Sequence, residues 1–296
     1  MLSVLATGPQ VLLQDRGRYG YAHLGVPRAG ALDGPAAALA NRLVGNHPDA
    51  AVLEVLLGGL VIRAEDDCWV AVTGARVSIA TTVPTMPEGP VSGARGRSRP
   101  FGEAVRLRAG ETLACGTPPT RMRSYLAVAG GIDVPPVLGS RSTDTLAGIG
   151  PKPVEPGDLL PIGTPSGGPV ALDTPRPPDR SAVRVLPGPH AEWFAADVLA
   201  RLAATPWTVG PASDRVGLRL VGDPIARTPG ELPSEGTVLG AIQVPPDGRP
   251  VVLLADRGPT GGYPVAGVVH PDDVWQLAQS RPGERLTLRA ARPARG

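Results

Sequence analysis

Aromatic residues are scarce: Phe, Trp and Tyr together make up 3% of the 296 residues, and only two are Phe. A core must therefore be filled by Ala, Val and Leu, and each ring becomes a place to look for a packing anchor or a ligand contact. The chain has no basic groove with interleaved stacking platforms for single-stranded nucleic acid. Lysine is scarcer still. Lys152 is the only one, and its context, PKPVEPG, suits neither phosphate binding nor covalent biotin attachment, so the chain is not read as a biotin carrier. Cys68 and Cys115 stand in strand-like DDCWVAV and ETLACG without CxxC spacing, which predicts buried thiols rather than a disulfide or a metal site. No window reaches the roughly 18 uncharged apolar residues of a membrane span. The start, MLSVLATGPQVLLQDRGR, lacks a charged segment ahead of a long apolar one, and the expected location is the cytoplasm. Neither sign of charge dominates. With 29 basic against 27 acidic residues the net charge is +2, which leaves no electrostatic footprint for a nucleic-acid partner.

Catalytic signatures are missing as well. There is no GxxxxGK[ST] phosphate loop and no GxSxG elbow. His23, His47, His190 and His270 stand far apart with no HxH or HExxH spacing, so no metal centre is expected and each His reads as a surface or capping residue.

What is present is strand and turn. Gly 39 and Pro 36 punctuate a chain that is 42% hydrophobic, and the apolar runs between them are short: VLEVLLGGLVIRA, WVAVTGARVSIA, AVRLRAGETLAC, SYLAVAGG, AVRVLPG, VGLRLVG, GTVLGAIQV, PVVLLAD and ERLTLRA. The expected fold class is mainly β with few helices. One helix begins near Asp33 as N-cap, with Pro35 in its first turn, Leu39 and Leu43 four apart, and Gly45 as stop. A second is expected over HAEWFAADVLARLAA, with Phe194, Val198 and Leu202 on one stripe. A third is PDDVWQLAQ, where Val274, Leu277 and Ala278 share a face. The Pro, Gly and Ser-rich stretch at 164–181 reads as a linker between an N-terminal β lobe, 1–163, and a C-terminal lobe, 182–296. Residues 84–100 read as a loop inside the first half.

Two internal echoes support related lobes. AGETLAC, PGDLLPI and PGERLTL each place Gly and an acid before alternating apolar positions, as a favoured turn would. TGPQ followed by QDRGRYGYAHLG is matched later by PGPH followed by SDRVGLRLVG. Polar residues gather at such turns. Asp15, Arg16 and Arg18 in the first copy and Asp214 and Arg215 in the second are either structural ion pairs or arginines exposed to hold a carboxylate or phosphate. Glu54, inside AVLEVLLGG, is either the polar member of an alternating strand or a buried acid suited to proton transfer. Near the C-terminus SEGTVLGAIQVPPDGRPVVLLADRGPTGGYPVAG offers Ser234, Glu235, Gln243 and Thr260, while Gly261 and Gly262 permit close backbone approach beside Tyr263.

QDRGRYGYAHLGVPRAGALD, ANRLVGN, AVLEVLLGG, VAVTGA, YLAVAGGIDVPPVLGSRSTD, SDRVGLRLVG, LPSEGTVLGAIQVPPDG and DRGPTGGYP together resemble the biotin-dependent carboxyltransferase family, which takes in allophanate hydrolase subunit 2 and the C-type subunit of 5-oxoprolinase. The resemblance covers nearly the whole chain. It implies cyclophilin-like β-barrel lobes and a companion of related fold, either an allophanate hydrolase subunit 1 or a protein like the B-type subunit of 5-oxoprolinase. It also implies three functional contexts. The first is an ATP-dependent 5-oxoprolinase, which opens a small cyclic amide to glutamate. The second is the carboxyltransferase step of urea carboxylase, fed by carboxybiotin, and the third is antagonism of a sporulation kinase inhibitor. In the hydrolase version Arg16, Arg18 and Arg215 would hold an amide oxygen or carboxylate, with Asp15, Asp214 or Glu54 moving protons. In the transferase version Gln243, Thr260 and Tyr263 would orient a ureido ring. No cofactor is expected to be covalently bound, and the ATP step or biotin carrier would lie wholly or partly in the partner. Gly258-Pro259-Thr260 stands where the family pattern has Gln-Thr-Thr.

Overall fold

The structure, a computed structural model, describes residues 1–83, 96–170 and 182–291. Most of the expected loop at 84–100 and most of the expected linker at 164–181 lie outside the described residues. The chain forms two units whose segments interleave along the sequence. The first takes Met1–Gly17, Asp33–Thr143 and the described part of Ile149–Pro177, and the second takes Arg18–Leu32, Asp144–Gly148 and the described part of Pro178–Gly296.

The first unit contains β1 (Leu2–Thr7), β2 (Gln10–Gln14), α1 (Gly34–Leu43), β3 (Val52–Leu56), β4 (Leu60–Ala64), β5 (Cys68–Gly74) and β6 (Ile79–Thr82). It continues with β7 (Arg97–Arg99), β8 (Ala104–Leu107), β9 (Thr112–Cys115), β10 (Arg123–Val128) and β11 (Leu159–Leu160). Six strands pair in the order β11-β1-β4-β9-β6-β7 and five in the order β2-β3-β10-β5-β8. Alternation decides which residues meet. Leu53 and Val55 of β3, Leu126 and Val128 of β10 and Val70 and Val72 of β5 join Leu2, Val4, Leu60, Ile62 and Leu113 of the other sheet in one apolar core. The opposite face of the five-stranded sheet is covered in turn by α1, whose Ala37, Ala40 and Leu43 are buried. This second burial explains an acid in an apolar strand: Glu54 and its cross-strand neighbour Tyr125 lie off the core face. The N-cap reading of Asp33 stands, because its side chain accepts the Ala36 N–H at 3.0 Å. Asn41 and Asn46 of ANRLVGN serve structure too, bonding Pro48, Ala50 and Val128 carbonyls and the Gly130 N–H.

The second unit holds β12 (Val183–Pro187), α2 (Val198–Ala204), β13 (Trp207–Val209), β14 (Gly217–Val221), β15 (Glu235–Gly236) and β16 (Ala241–Gln243). After them come β17 (Val251–Leu253), β18 (Thr260–Gly261), β19 (Val265–Val269), α3 (Val274–Ala278), β20 (Arg285–Leu286) and β21 (Leu288–Ala290). Eight strands pair in the order β20-β13-β14-β17-β16-β19-β12-β21. The two edge strands are consecutive in the chain with Thr287 alone between them, so the sheet curls back on itself as a nearly closed barrel and brings its edges together. Its core is Val, Leu and Ile around Trp207, fully buried with its indole N–H donated to the Leu202 carbonyl at 2.8 Å. β15 and β18 form a separate two-stranded ribbon. The mainly β reading with few helices therefore holds, and no helix among the described residues is long and apolar enough to cross a membrane.

One helix differs from expectation. The stripe Phe194, Val198, Leu202 predicts a continuous helix, yet a 3-10 turn ends at Trp193, Phe194 is extended and pairs with Arg227, and α2 starts at Val198. Tertiary pairing overrides local periodicity there.

The three Gly-acid turns are one device used three times. Gly110, Gly157 and Gly283 all have φ between 81° and 99°. Each donates its N–H to another strand segment, at Ala64, Val4 and Val209 respectively. The acid that follows, Glu111, Asp158 or Glu284, accepts the N–H of the residue three earlier while its own N–H closes the turn on that same residue. In the second unit a buried ion pair gathers the outlying segments. Arg215, 3% exposed, grips Asp256, 0% exposed, through Nε and Nη2 at 2.9 Å each. The same guanidinium donates to the Gly30 carbonyl at 2.7 Å, and Asp256 accepts from the Thr145 hydroxyl and N–H.

Thermal or denaturant unfolding reads the weight of these contacts. Gly157→Ala meets no atom within 4 Å and carries only the positive-φ penalty, about 1 kcal/mol, whereas Gly58→Ala would place its Cβ 2.1 Å from the Gly116 carbonyl oxygen and costs at least about 3 kcal/mol. Arg215→Met leaves Asp256 as an uncompensated buried charge and costs about 3–5 kcal/mol; a loss under about 1 kcal/mol would show that the pair does not hold these segments. Burial pushes the Cys115 thiol up to about 12 from an ordinary 9. A raised thiol stabilises the fold up to the unfolded pKa, so stability falls between about pH 9 and 12, and Cys115→Ala flattens that slope by up to about 1.4 kcal/mol per pH unit.

Candidate functional site

Two adjoining cavities in the second unit gather the chemistry. The first, about 210 Å³, lies against the barrel wall between β16, β17 and β19 and under the β15–β18 ribbon. Ala241, Leu253, Val265 and Val268 give it an apolar floor, and Glu235, Thr237 and Gln243 bring polar groups to it. Gln243 is 8% exposed and its side-chain amide donates to the Tyr263 carbonyl at 3.4 Å. The glycines of GGYP have a packing reason here: a Cβ on Gly261 would stand 2.8 Å from the Gln243 amide nitrogen and 3.3 Å from Thr237.

His190 fixes the rim of this cavity. Its Nδ1 accepts the Val265 N–H at 3.0 Å, which makes the ring neutral and puts its proton on Nε2. That nitrogen faces Glu235 Oε1 at 3.2 Å. A buried imidazole thus orients a half-exposed carboxylate at the cavity mouth, an arrangement suited to accepting a proton from a bound group.

The second cavity, about 170 Å³, is ringed by Arg18, Arg28 and Arg257 with Tyr19, Val26, Pro27 and Pro259. Arg18–Arg28 is a closed loop, tied by the Arg18 N–H to the Arg28 carbonyl at 2.7 Å. The Arg28 guanidinium lies 4.0 Å over the Tyr19 ring and donates to the Tyr19 hydroxyl. Burial, with the Arg28 charge beside it, lowers the pKa of Arg257. Thr237 lines both cavities. Its hydroxyl donates to the Gly258 carbonyl at 2.6 Å and its N–H to the Pro259 carbonyl, so the Gly258-Pro259 departure from the family pattern still supplies backbone partners there.

Of the residues singled out from sequence, Glu235, Gln243 and Arg18 line these cavities. Thr260, Gly261 and Gly262 form or follow the ribbon above, with Thr260 exposed. Tyr263 is 45% exposed and contributes its carbonyl. Ser234 is exposed in the irregular segment before β15. The others stand elsewhere. Arg16 is exposed and meets Asp49 at 3.3 Å. Arg215 is engaged by Asp256 inside the barrel unit. Asp15 is filled with donors: Oδ1 accepts from the Gly17 N–H and the Ser140 and Ser142 hydroxyls, and Oδ2 from the Arg141 N–H. Asp214 accepts the Val216 and Gly217 N–H groups, closing the turn into β14. Glu54 accepts from the Tyr125 hydroxyl at 2.9 Å and faces Arg123 Nε at 3.3 Å, while the Asp33 N–H donates to that hydroxyl. Complete burial, followed by the charges of Glu54 and Asp33, holds the Tyr125 phenol protonated well above its ordinary range. His190, Arg28, Arg257 and Tyr19 were not singled out. The scarcity of aromatics pointed at most to Tyr19, since a lone His and two scattered arginines carry no spacing signal. Among the described residues no group of three or more His, Cys, Asp or Glu side chains could hold a metal ion.

The chain is 38% identical over 291 residues to the C-type subunit of 5-oxoprolinase from Escherichia coli, covering 97% of this chain and 90% of that protein. The solved structure of TTHA0988 is also 38% identical, with a TM-score of 0.84 over 97% of this chain, although the match spans only 55% of that longer chain. The Kluyveromyces lactis urea amidolyase structure superposes with a TM-score of 0.85 at 26% identity, covering 97% of this chain and 18% of the other. The carboxyltransferase domain family, subdomain A and B, matches residues 24–290, and the chain belongs to that family.

Proposed function

We propose that this chain is the C-type subunit of an ATP-dependent 5-oxoprolinase, acting on a small cyclic amide together with a B-type partner in the cytoplasm. The observation that carries the reading is the match to the C-type subunit of the Escherichia coli 5-oxoprolinase, which takes in 97% of this chain and 90% of that one. The cavity at β16 supports it chemically. A lactam ring fits its apolar floor, and the buried Gln243 amide presents both a donor and an acceptor to a cyclic amide. Glu235, oriented by His190, takes the proton released when water attacks the lactam carbonyl, and the leaving nitrogen is protonated as the ring opens. The sequence has no phosphate loop and one lysine, so we assign the ATP step to the partner. Asp15, Asp214 and Glu54 brace turns and strands in this reading rather than moving protons.

A second reading is carboxyl transfer from carboxybiotin to urea, favoured by the close superposition on the urea amidolyase. A ureido ring presents the same donor and acceptor pattern as a lactam, and the Gln243 amide lines the cavity beside Gly261. Carboxybiotin would supply the carboxyl group there. Gln243 and Thr237 would orient the ring.

Coexpression with the partner separates the readings. The expected result is ATP-dependent glutamate release from 5-oxoproline that requires this chain and no biotin. Urea-dependent ATP consumption with a biotinylated carrier, and no glutamate, would overturn it in favour of transfer. Within the active complex, Glu235→Gln lowers kcat by about 100-fold or more with assembly intact. A loss under about threefold would remove Glu235 from the chemistry.

A further inference from the structure

Glu235 has a support that the sequence marks twice, in the motif PGPH and in a helix that breaks just after it. Gly188 lets the chain leaving β12 press on β19: a Cβ there would stand 2.1 Å from the Val265 carbonyl oxygen and 2.8 Å from the Gly267 nitrogen. Pro189 lines the cavity at β16, and the next residue, His190, is buried with its Nδ1 on the Val265 N–H. We propose that His190 is a positioning residue that holds the Glu235 carboxylate at this cavity through Nε2, and that the non-helical turn His190–Phe194 is the clamp that carries it. The inference deepens the proton-transfer reading of Glu235 and rests on it for the kinetic consequence, while the geometry stands on its own.

Three features support it. First, local periodicity favours a continuous helix over this stretch, yet the 3-10 turn Ala191–Trp193 stops and Phe194 is extended, so helix is given up for contacts that only the broken form makes. Those contacts fall on the segment that leads into β15. The Trp193 carbonyl accepts the Thr228 N–H at 2.8 Å, the Arg227 guanidinium lies 5.8 Å over the Trp193 ring, and a Cβ on Gly230 would stand 3.4 Å from that ring. The segment is thus tied to the turn at 227–230, and His190 meets it again at Glu235. Second, the two ring nitrogens have partners on separate elements, Val265 on β19 and Glu235 on β15, so one imidazole joins barrel to ribbon and its orientation is fixed from both sides. A histidine kept for packing needs only one of them. Third, the Glu235 contact adds little stability, because a half-exposed carboxylate is well solvated without it. What the contact changes is freedom: Glu235 is the only acid among the described residues that line the cavity, and without a partner its side chain would sample several rotamers.

The test compares His190→Gln with His190→Asn in the full-length chain, assembled with its partner and assayed for ATP-dependent glutamate release. Gln carries its amide at the reach of Nε2 and can donate to Glu235, whereas Asn carries its amide at the reach of Nδ1 and can accept the Val265 N–H without touching Glu235. The expected result is a rescue by Gln, which keeps at least about a fifth of the wild-type kcat, against a loss of about 20-fold or more in His190→Asn, with KM within about twofold in both. In a Glu235→Gln background, His190→Asn costs less than about twofold further, because the residue it acts through no longer takes a proton. A structural role gives the reverse order, with the larger loss and the lower melting temperature in His190→Gln. That order, a His190→Asn complex of wild-type kcat, or an undiminished loss in the Glu235→Gln background would each overturn the proposal. So would a proton found on Nδ1 by nitrogen NMR of the unsubstituted chain, a readout that depends on no variant folding. Failure of the proton-transfer reading is visible separately: Glu235→Gln alone then costs under about threefold, whereas failure of the present inference leaves that loss large and His190→Asn silent. If the complex releases no glutamate, the same order of variants is expected in urea-dependent ATP consumption.

Discussion

The second unit depends on one buried ion pair. Arg215 and Asp256 are both nearly free of solvent, and an isolated buried charge is strongly unfavourable, so each obliges the other to stay. Their remaining valences are met by the chain itself. Gly30 belongs to the segment that leaves the first unit after β2, and Thr145 belongs to a five-residue return, Asp144–Gly148. An ion pair therefore does what the linker of a simple two-lobe chain could not: it ties two early segments to a barrel made mostly of late ones. Position follows from this. Gly30 is two residues from Arg28, and Asp256 is one residue from Arg257, so the pair that closes the core also sets two of the three arginines of the cleft.

The first unit answers the same problem with hydrogen bonds around a carboxylate. Asp15 ends β2 and draws the Ser140–Ser142 segment to it through both hydroxyls and the Arg141 N–H. Glu54 does the equivalent beneath α1. Its carboxylate, the Tyr125 hydroxyl and the Asp33 N–H form a line that fixes where the helix starts on the sheet. Acids at these positions are costly to bury, and every one is matched by donors within hydrogen-bond reach. A polar residue in an apolar run thus marks a joint of the fold here. The catalytic reading of Asp15 and Glu54 and the structural one use the same chemistry, and the difference lies in whether a free face remains for a ligand.

Much of the fold was legible in the sequence because turn chemistry is local. The Gly-acid turns, the Asp33 cap and the short apolar runs each have their cause within about ten residues, and all appear where expected. The break at Phe194 was not legible, since its cause is Arg227 across the chain. The site divides along the same line. Glu235, Gln243 and the GGYP glycines lie in one stretch whose glycine spacing betrays a close approach. His190, Arg28 and Arg257 come from three separate stretches, and only the barrel brings His190 to Glu235 or Arg257 to Arg28. The matching Asp-Arg dipeptides left two readings open for a physical reason: an arginine at a strand end meets a carboxylate in the protein as readily as one in a ligand. Arg215 found Asp256.

The scarcity of aromatic residues bears on both cavities. A core of Ala, Val and Leu packs strands closely through small side chains, and among the described residues Trp207 and Tyr125 are its only fully buried rings. Polar geometry must then come from backbone turns rather than from ring hydroxyls and indoles. That is what the β15–β18 ribbon supplies: Thr237 is held by the Gly258 and Pro259 carbonyls, Gln243 by the Tyr263 carbonyl, and glycine at 261 lets the ribbon pack on Gln243 and Thr237. A ribbon of two short strands has few bonds of its own. Its placement comes from the barrel beneath and from the His190–Glu235 contact at its edge, so the imidazole that faces Glu235 also anchors the ribbon beside the cavity. Loss of His190 would then remove both the Val265 N–H acceptor and the Glu235 contact, and loosen the ribbon at its edge.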